Sequence, residues 1–325
     1  RKRRMRIHTL GDLSGEPAFD GHEQVLSIDD EASGLKAIIS IHDTRLGPAL
    51  GGCRMWSYDS DKAALHDALR LSRAMTFKNA LAGLALGGGK SVIIGDARTE
   101  KTPAKLLAFA RALDSLEGRY LTAEDVGIGV ADIELMRTVT AHVRGIPEGG
   151  VGDPSPHTAY GVFCGLKATA AIVLGSDDLA GVRVAVQGLG NVGSNLACLL
   201  HEAGAQLVIA DIRQDAIDRA VDRFGAEVIE PDRAHAADVD IFSPCALGAI
   251  LNARTIPQIR AKAVAGSANN QLETIDDGER LRQHGIVYAP DYVINAGGVI
   301  AIGHEGPDFD AEALKTDLEL SLIHI

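Results

Sequence analysis

Three glycines at a fixed spacing, Gly188, Gly190 and Gly193, constrain the fold of this 325-residue chain more than any other feature of its sequence. They directly follow an apolar, β-branched segment, Val182–Gln187, and they open a segment with helical periodicity. In that setting the first glycine permits a tight turn, the second lets a pyrophosphate approach the backbone, and the third lets helix and strand pack closely. The pattern predicts a dinucleotide-binding βαβ unit whose loop comprises Gly188, Leu189, Gly190, Asn191, Val192 and Gly193.

An acidic residue at the expected distance supports this interpretation. Asp211 lies 23 residues after Gly188, at the end of the apolar segment LVIAD. A carboxylate there accepts hydrogen bonds from ribose hydroxyls and repels a 2′-phosphate, so the sequence favours NAD over NADP. FAD is the rival ligand, but nothing else suggests a flavin site. A triphosphate-binding loop at 87–91 is excluded, because the position six before Lys90 is Leu84 rather than glycine.

Strand-like and helix-like segments alternate along the chain, which predicts an α/β fold with a parallel, doubly wound sheet in its second half. Residues 145–156 contain four Gly and three Pro and make the best linker. We therefore expect two α/β domains with a cleft between them, at 1–148 and 149–310. Residues 311–325 form a separate short segment.

Composition excludes several classes of protein. The formal net charge of −12 argues against nucleic acid or an anionic membrane as the main partner. No apolar run reaches membrane-spanning length, since the longest is interrupted by Lys167. The cysteines are far apart, which predicts a reducing, cytoplasmic setting and no zinc site. They are Cys53, Cys164, Cys198 and Cys245.

Two lysines and a carboxylate could carry chemistry. Lys78 and Lys90 bracket what we interpret as a glycine-rich turn, and Asp125 follows a predicted strand. Burial and a second ammonium group would lower the pKa of a lysine toward the range of a general base. Each of the three residues could equally be a solvated surface charge. Residue pattern alone therefore indicates a dinucleotide-binding protein with a possible basic pocket.

Several further segments, taken in their order along the chain, resemble those of the amino acid dehydrogenase family. This family includes glutamate, leucine, phenylalanine and valine dehydrogenases. The resemblance extends from Gly21 to about Gly303 and is greatest to the leucine dehydrogenases. The segments that carry it are LGPALGGCRMW, DALRLSRAMTFKNALAGLALGGGKSVIIGD, TAEDVGIGVADIE, GDPSPHTAYGVF, VQGLGNVG, PCALGAILN, AGSANNQL and YAPDYVINAGGVI.

The resemblance implies NAD-dependent oxidative deamination of an L-amino acid to a 2-oxo acid and ammonium. Lys90 would be the catalytic lysine, Asp125 would orient the amino group and move protons, and Lys78 would bind the substrate carboxylate. The remaining implied substrate contacts are Gly51, Gly52, Met75, Leu50, Ala123, Asn270, Val299 and Ile302. The remaining implied cofactor contacts are Thr158 and Asn269 near the nicotinamide, and Pro244, Cys245 and Ala246 on the adenosine side.

Four apolar residues bear on the choice of substrate. Glutamate dehydrogenases have a lysine where this chain has Leu50, so a second carboxylate would be rejected here. Leu50, Ala123, Val299 and Ile302 would form a pocket for leucine, isoleucine or valine, although such residues are often ordinary core. The alternatives are phenylalanine, valine or tryptophan specificity within the family, or a non-catalytic dinucleotide-binding paralogue.

The resemblance also assigns the domains. Residues 1–148 would bind substrate, carry the catalytic groups and mediate assembly into a homo-oligomer, and residues 149–310 would bind NAD. Residues 311–325 would begin a helix that returns to the first domain. The basic start, RKRRMR, and the final SLIHI do not match the family, and we expect both ends to be fragment or reading artefacts.

Overall fold

The computed structural model describes residues 5–146, 152–246, 248–305 and 309–320. The chain forms two compact units, Arg1–Asp153 with Ile302–Phe309, and Pro154–Ala301 with Asp310–Ile325. The domain boundary that the sequence predicts, between residues 148 and 149, lies outside the described residues, as do RKRR at the start and SLIHI at the end. Both units are α/β structures, as predicted.

The described part of the first unit contains a mixed sheet of seven strands in the order β1-β2-β3-β6-β4-β7, with β5 also paired to β6. The strands β1 to β3 and the β3–β6 pair are antiparallel, whereas β4 and β5 run parallel to β6. The strands are β1 Arg6–Thr9, β2 Gln24–Asp30, β3 Leu35–Asp43, β4 Ala49–Leu50, β5 Cys53–Trp56, β6 Gly87–Ile94 and β7 Tyr120–Leu121.

Helices cover both faces of this sheet. They are α1 Asp61–Leu81, α2 Pro103–Asp114 and α3 Val130–Arg137. Successive strand residues point to opposite faces, so Ile39 packs with α2 and α3 while Ile38 packs with α1. Polar side chains cap two of these helices: Ser60 accepts a hydrogen bond from Ala63 N at the start of α1, and Thr102 accepts one from Lys105 N at the start of α2.

The described part of the second unit contains six parallel strands in the order β10-β9-β8-β11-β12-β13. Numbered within the unit, this is the order 3-2-1-4-5-6 of a Rossmann dinucleotide-binding sheet. The strands are β8 Arg183–Gln187, β9 Gln206–Ala210, β10 Glu227–Val228, β11 Ile241–Pro244, β12 Ala263–Val264 and β13 Val287–Tyr288.

This sheet is covered on both faces, which confirms the doubly wound prediction. The helices are α4 Ser155–Leu174, α5 Asn191–Glu202, α6 Gln214–Phe224, α7 Asp276–Gln283, α8 Asp291–Ile294, α9 Gly297–Gly303 and α10 Ala311–Leu320. Val184 and Val186 pack with α4 and α5, whereas Ala185 and Phe242 pack on the other side with α7.

By length and composition, α4 could cross a membrane. Core helices of globular proteins meet the same criterion. Here one side of α4, including Val162 and Leu166, is buried in the core of the second unit. Tyr160, near the start of α4, donates a hydrogen bond to Glu319 of α10.

Candidate functional site

Lys90 lies in the middle of a buried strand rather than after a turn. The prediction of a glycine-rich turn before it is wrong, since Gly87–Gly89 are the first residues of β6. The glycines serve close packing: a Cβ at Gly88 would lie 2.0 Å from Thr76 Oγ1 on α1, and one at Gly89 would lie 2.7 Å from the Tyr120 ring. Helix α1 and the Tyr120 side chain of β7 therefore approach β6 closely, and Lys90 is only 5% exposed.

Lys90 and Asp125 form a direct ion pair. Lys90 Nζ donates to Asp125 Oδ2 at 2.6 Å. Burial lowers the pKa of Lys90, and this outweighs the opposing effect of the Asp125 carboxylate. Burial alone would raise the pKa of Asp125, but Lys90 and Arg54 outweigh it and hold that pKa well below its usual range. The pair thus consists of a firmly ionised carboxylate and an amine that gives up its proton more readily than a free lysine.

Arg54 is a member of this site that the sequence analysis missed. Its Nε donates to Asp125 Oδ2 at 3.1 Å, and its Nη1 donates to Asp67 Oδ2 at 3.0 Å. Tyr58 donates to the same Asp67 oxygen at 2.6 Å. The sequence offered one signal for Arg54 as a site residue, which is its position two residues after the Gly51–Gly52 pair. We call Lys90, Asp125, Arg54, Asp67 and Tyr58 the charged network.

The predicted glycine pair lies beside this network. A Cβ at Gly52 would lie 2.9 Å from Asp125 Cβ, so only glycine fits there. A Cβ at Gly51 would lie 1.8 Å from Gly89 O and 3.2 Å from Met75 Cγ. The buried Tyr120 hydroxyl donates to Gly51 O at 2.6 Å and fixes this segment. The structure therefore brings Gly51, Gly52 and Met75 next to the catalytic candidates.

Three of the four predicted specificity residues form one apolar cluster. Leu50, Ala123 and Ile302 pack together with Leu121 and Leu86, which the sequence analysis did not single out. Each of the three is less than a tenth exposed. We call these five residues the apolar cluster.

Two other predicted substrate contacts are placed as follows. Val299, the fourth specificity candidate, is half-buried on α9 and belongs to the second unit. Lys78 is buried in the last turn of α1. The roles of Lys78 and Val299 toward a substrate stay predictions.

The glycine loop of the second unit fits a dinucleotide. Gly188 has φ +102°, a conformation that favours glycine, and a Cβ at Gly193 would lie 1.9 Å from Gly188 O. At Gly190, by contrast, a Cβ would meet nothing within 4 Å. Gly190 caps α5, which begins with Asn191 and Val192, without a side-chain hydrogen bond. The loop thus offers free backbone N–H groups and open space to a pyrophosphate.

Asp211 is held against this loop. Leu189 N donates to Asp211 Oδ2 at 2.6 Å, and Arg213 N donates to Oδ1 at 2.8 Å. Burial would raise the pKa of Asp211, but these backbone hydrogen bonds outweigh it and lower the pKa, so the carboxylate is ionised. Arg213 Nη2 also donates to Leu189 O at 2.7 Å.

The other predicted cofactor contacts also lie in the second unit. Cys245 N donates to Gln187 O at 2.7 Å, which places Cys245 and Ala246, after Pro244, directly beside Gly188. Asn269 Oδ1 accepts a hydrogen bond from Asn295 Nδ2 at 2.9 Å. Thr158, on α4, donates to Pro154 O at 3.1 Å. Asn270, a predicted substrate contact, follows Asn269 and has φ +52°.

The second unit is a Rossmann fold with a fitting glycine loop, and the first unit holds a buried lysine–carboxylate pair. Together they are typical of a dehydrogenase that uses a nicotinamide dinucleotide. Comparison with known proteins identifies the group. The family described as "Glu/Leu/Phe/Val dehydrogenase, dimerisation domain" matches residues 22–142, and "Glutamate/Leucine/Phenylalanine/Valine dehydrogenase" matches 149–217 and 209–308. The chain belongs to this family and is an amino acid dehydrogenase that acts on CH–NH2 donors.

Individual relatives agree with this assignment. The leucine dehydrogenase of Geobacillus stearothermophilus is 55% identical over 300 residues, covering 92% of this chain and 82% of the relative. The crystal structure of L-tryptophan dehydrogenase from Nostoc punctiforme has a TM-score of 0.75 at 45% identity, covering 93% and 87%. A hetero-hexameric glutamate dehydrogenase from Thermus thermophilus shares the fold, with a TM-score of 0.76 at 21% identity and coverage of 99% and 81%.

Proposed function

We propose that the protein catalyses the NAD-dependent oxidative deamination of branched-chain aliphatic L-amino acids. Leucine, isoleucine or valine would react with NAD⁺ and water to give the 2-oxo acid, NADH, ammonium and a proton. The observation that carries this proposal is the ion pair of Lys90 Nζ and Asp125 Oδ2 at 2.6 Å, in the same unit as the apolar cluster.

The residues divide the chemistry between them. The bound dinucleotide supplies a hydride acceptor for the substrate Cα. Lys78 would pair with the substrate carboxylate. Asp125 Oδ1, which neither Arg54 nor Lys90 contacts, can accept a hydrogen bond from the substrate amino group. Once Cα is oxidised to an imine, a neutral Lys90 can take a proton from the water that attacks the imine carbon. Lys90 can then return that proton to the leaving nitrogen, and the ionised Asp125 can help to expel ammonia by holding this nitrogen in place.

The apolar cluster supports an aliphatic substrate. Leu50 cannot compensate a buried second carboxylate, so glutamate and aspartate would pay the full cost of desolvation. Because one methylene changes binding by only about 1–3 kcal/mol, several branched amino acids should be accepted. The relatives named leucine dehydrogenase, at up to 55% identity, support the same choice.

Asp211 supports NAD over NADP. Its carboxylate is ionised and held at the glycine loop, where it would accept from a ribose 2′-hydroxyl and repel a 2′-phosphate. The Arg213 guanidinium donates hydrogen bonds to Asp211 Oδ1 and to Leu189 O, so it is already paired within this loop region.

A substrate panel tests this proposal. We expect NADH formation with leucine, isoleucine and valine at a kcat/KM at least about tenfold above that for phenylalanine, tryptophan or glutamate. Reactions with NADP⁺ in place of NAD⁺ should be slower at every substrate. Absorbance at the NADH band gives the rates. A preference for an aromatic substrate would move the protein to another specificity of the same family, and failure with every amino acid by a folded, NADH-binding sample would refute the activity.

We also propose a homo-oligomer located in the cytoplasm. The first unit matches a domain described as a dimerisation domain, and the cysteines in the described residues are free. Light scattering of the purified protein should give a mass that is a multiple of 34.2 kDa. A monomeric mass at micromolar concentration would contradict the assembly.

A further inference from the structure

Arg54 connects three parts of the first unit through a single guanidinium group. It projects from β5, whose residues pair in parallel with those of β6. Its Nε reaches Asp125, in the loop after β7, and its Nη1 reaches Asp67 on α1. The Arg54 side chain is only 18% exposed, and Asp125 and Asp67 are 18% and 27% exposed. Such a two-sided contact uses the rigid fork of arginine, which a lysine cannot reproduce.

The far end of the network is also fixed. The Tyr58 hydroxyl and Arg54 Nη1 both donate to Asp67 Oδ2, at 2.6 Å and 3.0 Å. Burial and the Asp67 carboxylate raise the pKa of Tyr58, so the hydroxyl stays protonated and keeps donating. Tyr58 therefore fixes the Asp67 carboxylate, Asp67 fixes the Arg54 guanidinium, and Arg54 in turn donates to Asp125 from a fixed position.

We propose that Arg54 is a positioning residue for the deamination chemistry, which fixes the Asp125 carboxylate through Oδ2 and, balanced by Asp67, sets how readily Lys90 loses its proton. This inference deepens the proposed function and rests on it. It assigns a task to Arg54, Asp67 and Tyr58, none of which is needed to contact the substrate.

The geometry gives the charges opposite effects on Lys90. Arg54 is a cation that shares Asp125 Oδ2 with the Lys90 ammonium, so it disfavours the protonated lysine and lowers its pKa. Asp67 is an anion on the other side of Arg54 and raises that pKa. Further ionisable groups near the pair include Glu124, next to Asp125, and the buried Cys53 thiol on β5, whose pKa burial raises to about 12. The buried Tyr120 hydroxyl also interacts with Asp125, and burial raises its pKa.

Two charge-neutralising variants should therefore shift the activity profile in opposite directions. Deamination needs neutral Lys90, so kcat/KM should fall as the pH drops below the pKa of Lys90. We call this fall the acidic limb of the plot of kcat/KM against pH. Arg54→Gln removes a repulsive charge and should move the limb to higher pH by about 1 unit, with kcat about 10²-fold lower because Asp125 loses a support. Asp67→Asn removes an attractive charge and should move the limb to lower pH. Arg54→Lys keeps the charge and should restore the limb position but only part of kcat.

Three controls separate this role from a merely structural one. Arg98→Gln removes an arginine from an exposed pair with Asp96 and should leave the limb in place. Burial, Asp153 and Asp125 raise the pKa of Glu124 to about 7, so this carboxyl could itself titrate within the activity profile. The shift of the limb caused by Arg54→Gln should therefore be measured again in a Glu124→Gln background, where it should persist. Acetic anhydride labelling of Lys90 against pH, followed by mass spectrometry of the protein without substrate, should show the same opposite shifts.

The outcomes are distinguishable. Opposite shifts of the limb and of Lys90 labelling in the two variants support the inference. Shifts in the same direction, or none in a wild type that turns over branched amino acids, overturn it. If Arg54→Gln does not fold, Asp67→Asn alone decides, since only an electrostatic role moves the limb to lower pH. If the wild type shows no activity, the proposed function fails, and labelling still tests the link between Arg54, Asp67 and Lys90.

Discussion

Replacing Lys90 with alanine is expected to lower kcat for oxidative deamination by about 10³-fold, the contribution of a well-placed general base. The lysine is the buried amine in the charged network, and Asp125 Oδ2 is its hydrogen-bond partner at 2.6 Å. Asp125 keeps Arg54 as a cationic partner in the variant, so no carboxylate is left buried without a counter-charge. The fold should therefore survive while the chemistry is lost.

The matched control is another lysine–aspartate pair in the same unit. Lys101 Nζ donates to Asp132 Oδ2 at 2.6 Å, the same separation, but outside the charged network. Lys101→Ala should retain kcat close to that of the wild type. Stopped-flow absorbance of NADH gives the rates, and NADH titration should show unchanged affinity in both variants, because the dinucleotide loop lies in the other unit. A Lys90→Ala enzyme with nearly normal kcat would remove Lys90 from the mechanism.

Alanine at Gly190 and at Gly193 should have different effects on dinucleotide binding and stability. At Gly190 an added Cβ meets no protein atom within 4 Å but occupies the space that a pyrophosphate needs. Gly190→Ala should raise the Kd for NADH at least tenfold, about 1.4 kcal/mol, with no change in Tm. At Gly193 the added Cβ would lie 1.9 Å from Gly188 O, so the loop must move.

Gly193→Ala should therefore weaken NADH binding and also lower Tm. Overpacking of this kind costs about 1–3 kcal/mol, and each kcal/mol corresponds to about 2–4 °C in a unit of this size. Isothermal titration and circular dichroism melting measure the two effects. Gly129→Ala, where an added Cβ also meets nothing within 4 Å, serves as the control and should change neither. Equal loss of Tm in both loop variants would show that Gly190 is a packing position and not a phosphate cradle.

Local signals in the sequence predicted much of the fold. The glycine motif, the βα alternation of the second unit and the capped helices come from short stretches of chain, and α1 begins at Asp61, next to the Ser60 cap. Two-residue strands such as β4 and β10, by contrast, are too short for any periodicity to show.

The site was harder to predict where its cause lies in tertiary packing. Glycines disfavour strands, so Gly87–Gly89 look like a turn until Ser72, Thr76 and Tyr120 are seen pressed against them. Arg54 escaped notice because its partners, Asp67 and Asp125, are 13 and 71 residues away. The roles of Lys90 and Asp125 were predicted through resemblance to a family, whereas Arg54, Asp67 and Tyr58 were not singled out.

The charged network and the apolar cluster have no side chain in common. Lys90, Asp125, Arg54, Asp67 and Tyr58 form the first, and Leu50, Leu121, Ala123, Ile302 and Leu86 form the second. Substitutions that reshape the cluster leave every partner of the network in place. The side chains that we propose to contact the substrate side chain can therefore change without removing any hydrogen bond or ion pair of the charged network, which would let new substrate preferences evolve on one catalytic scaffold.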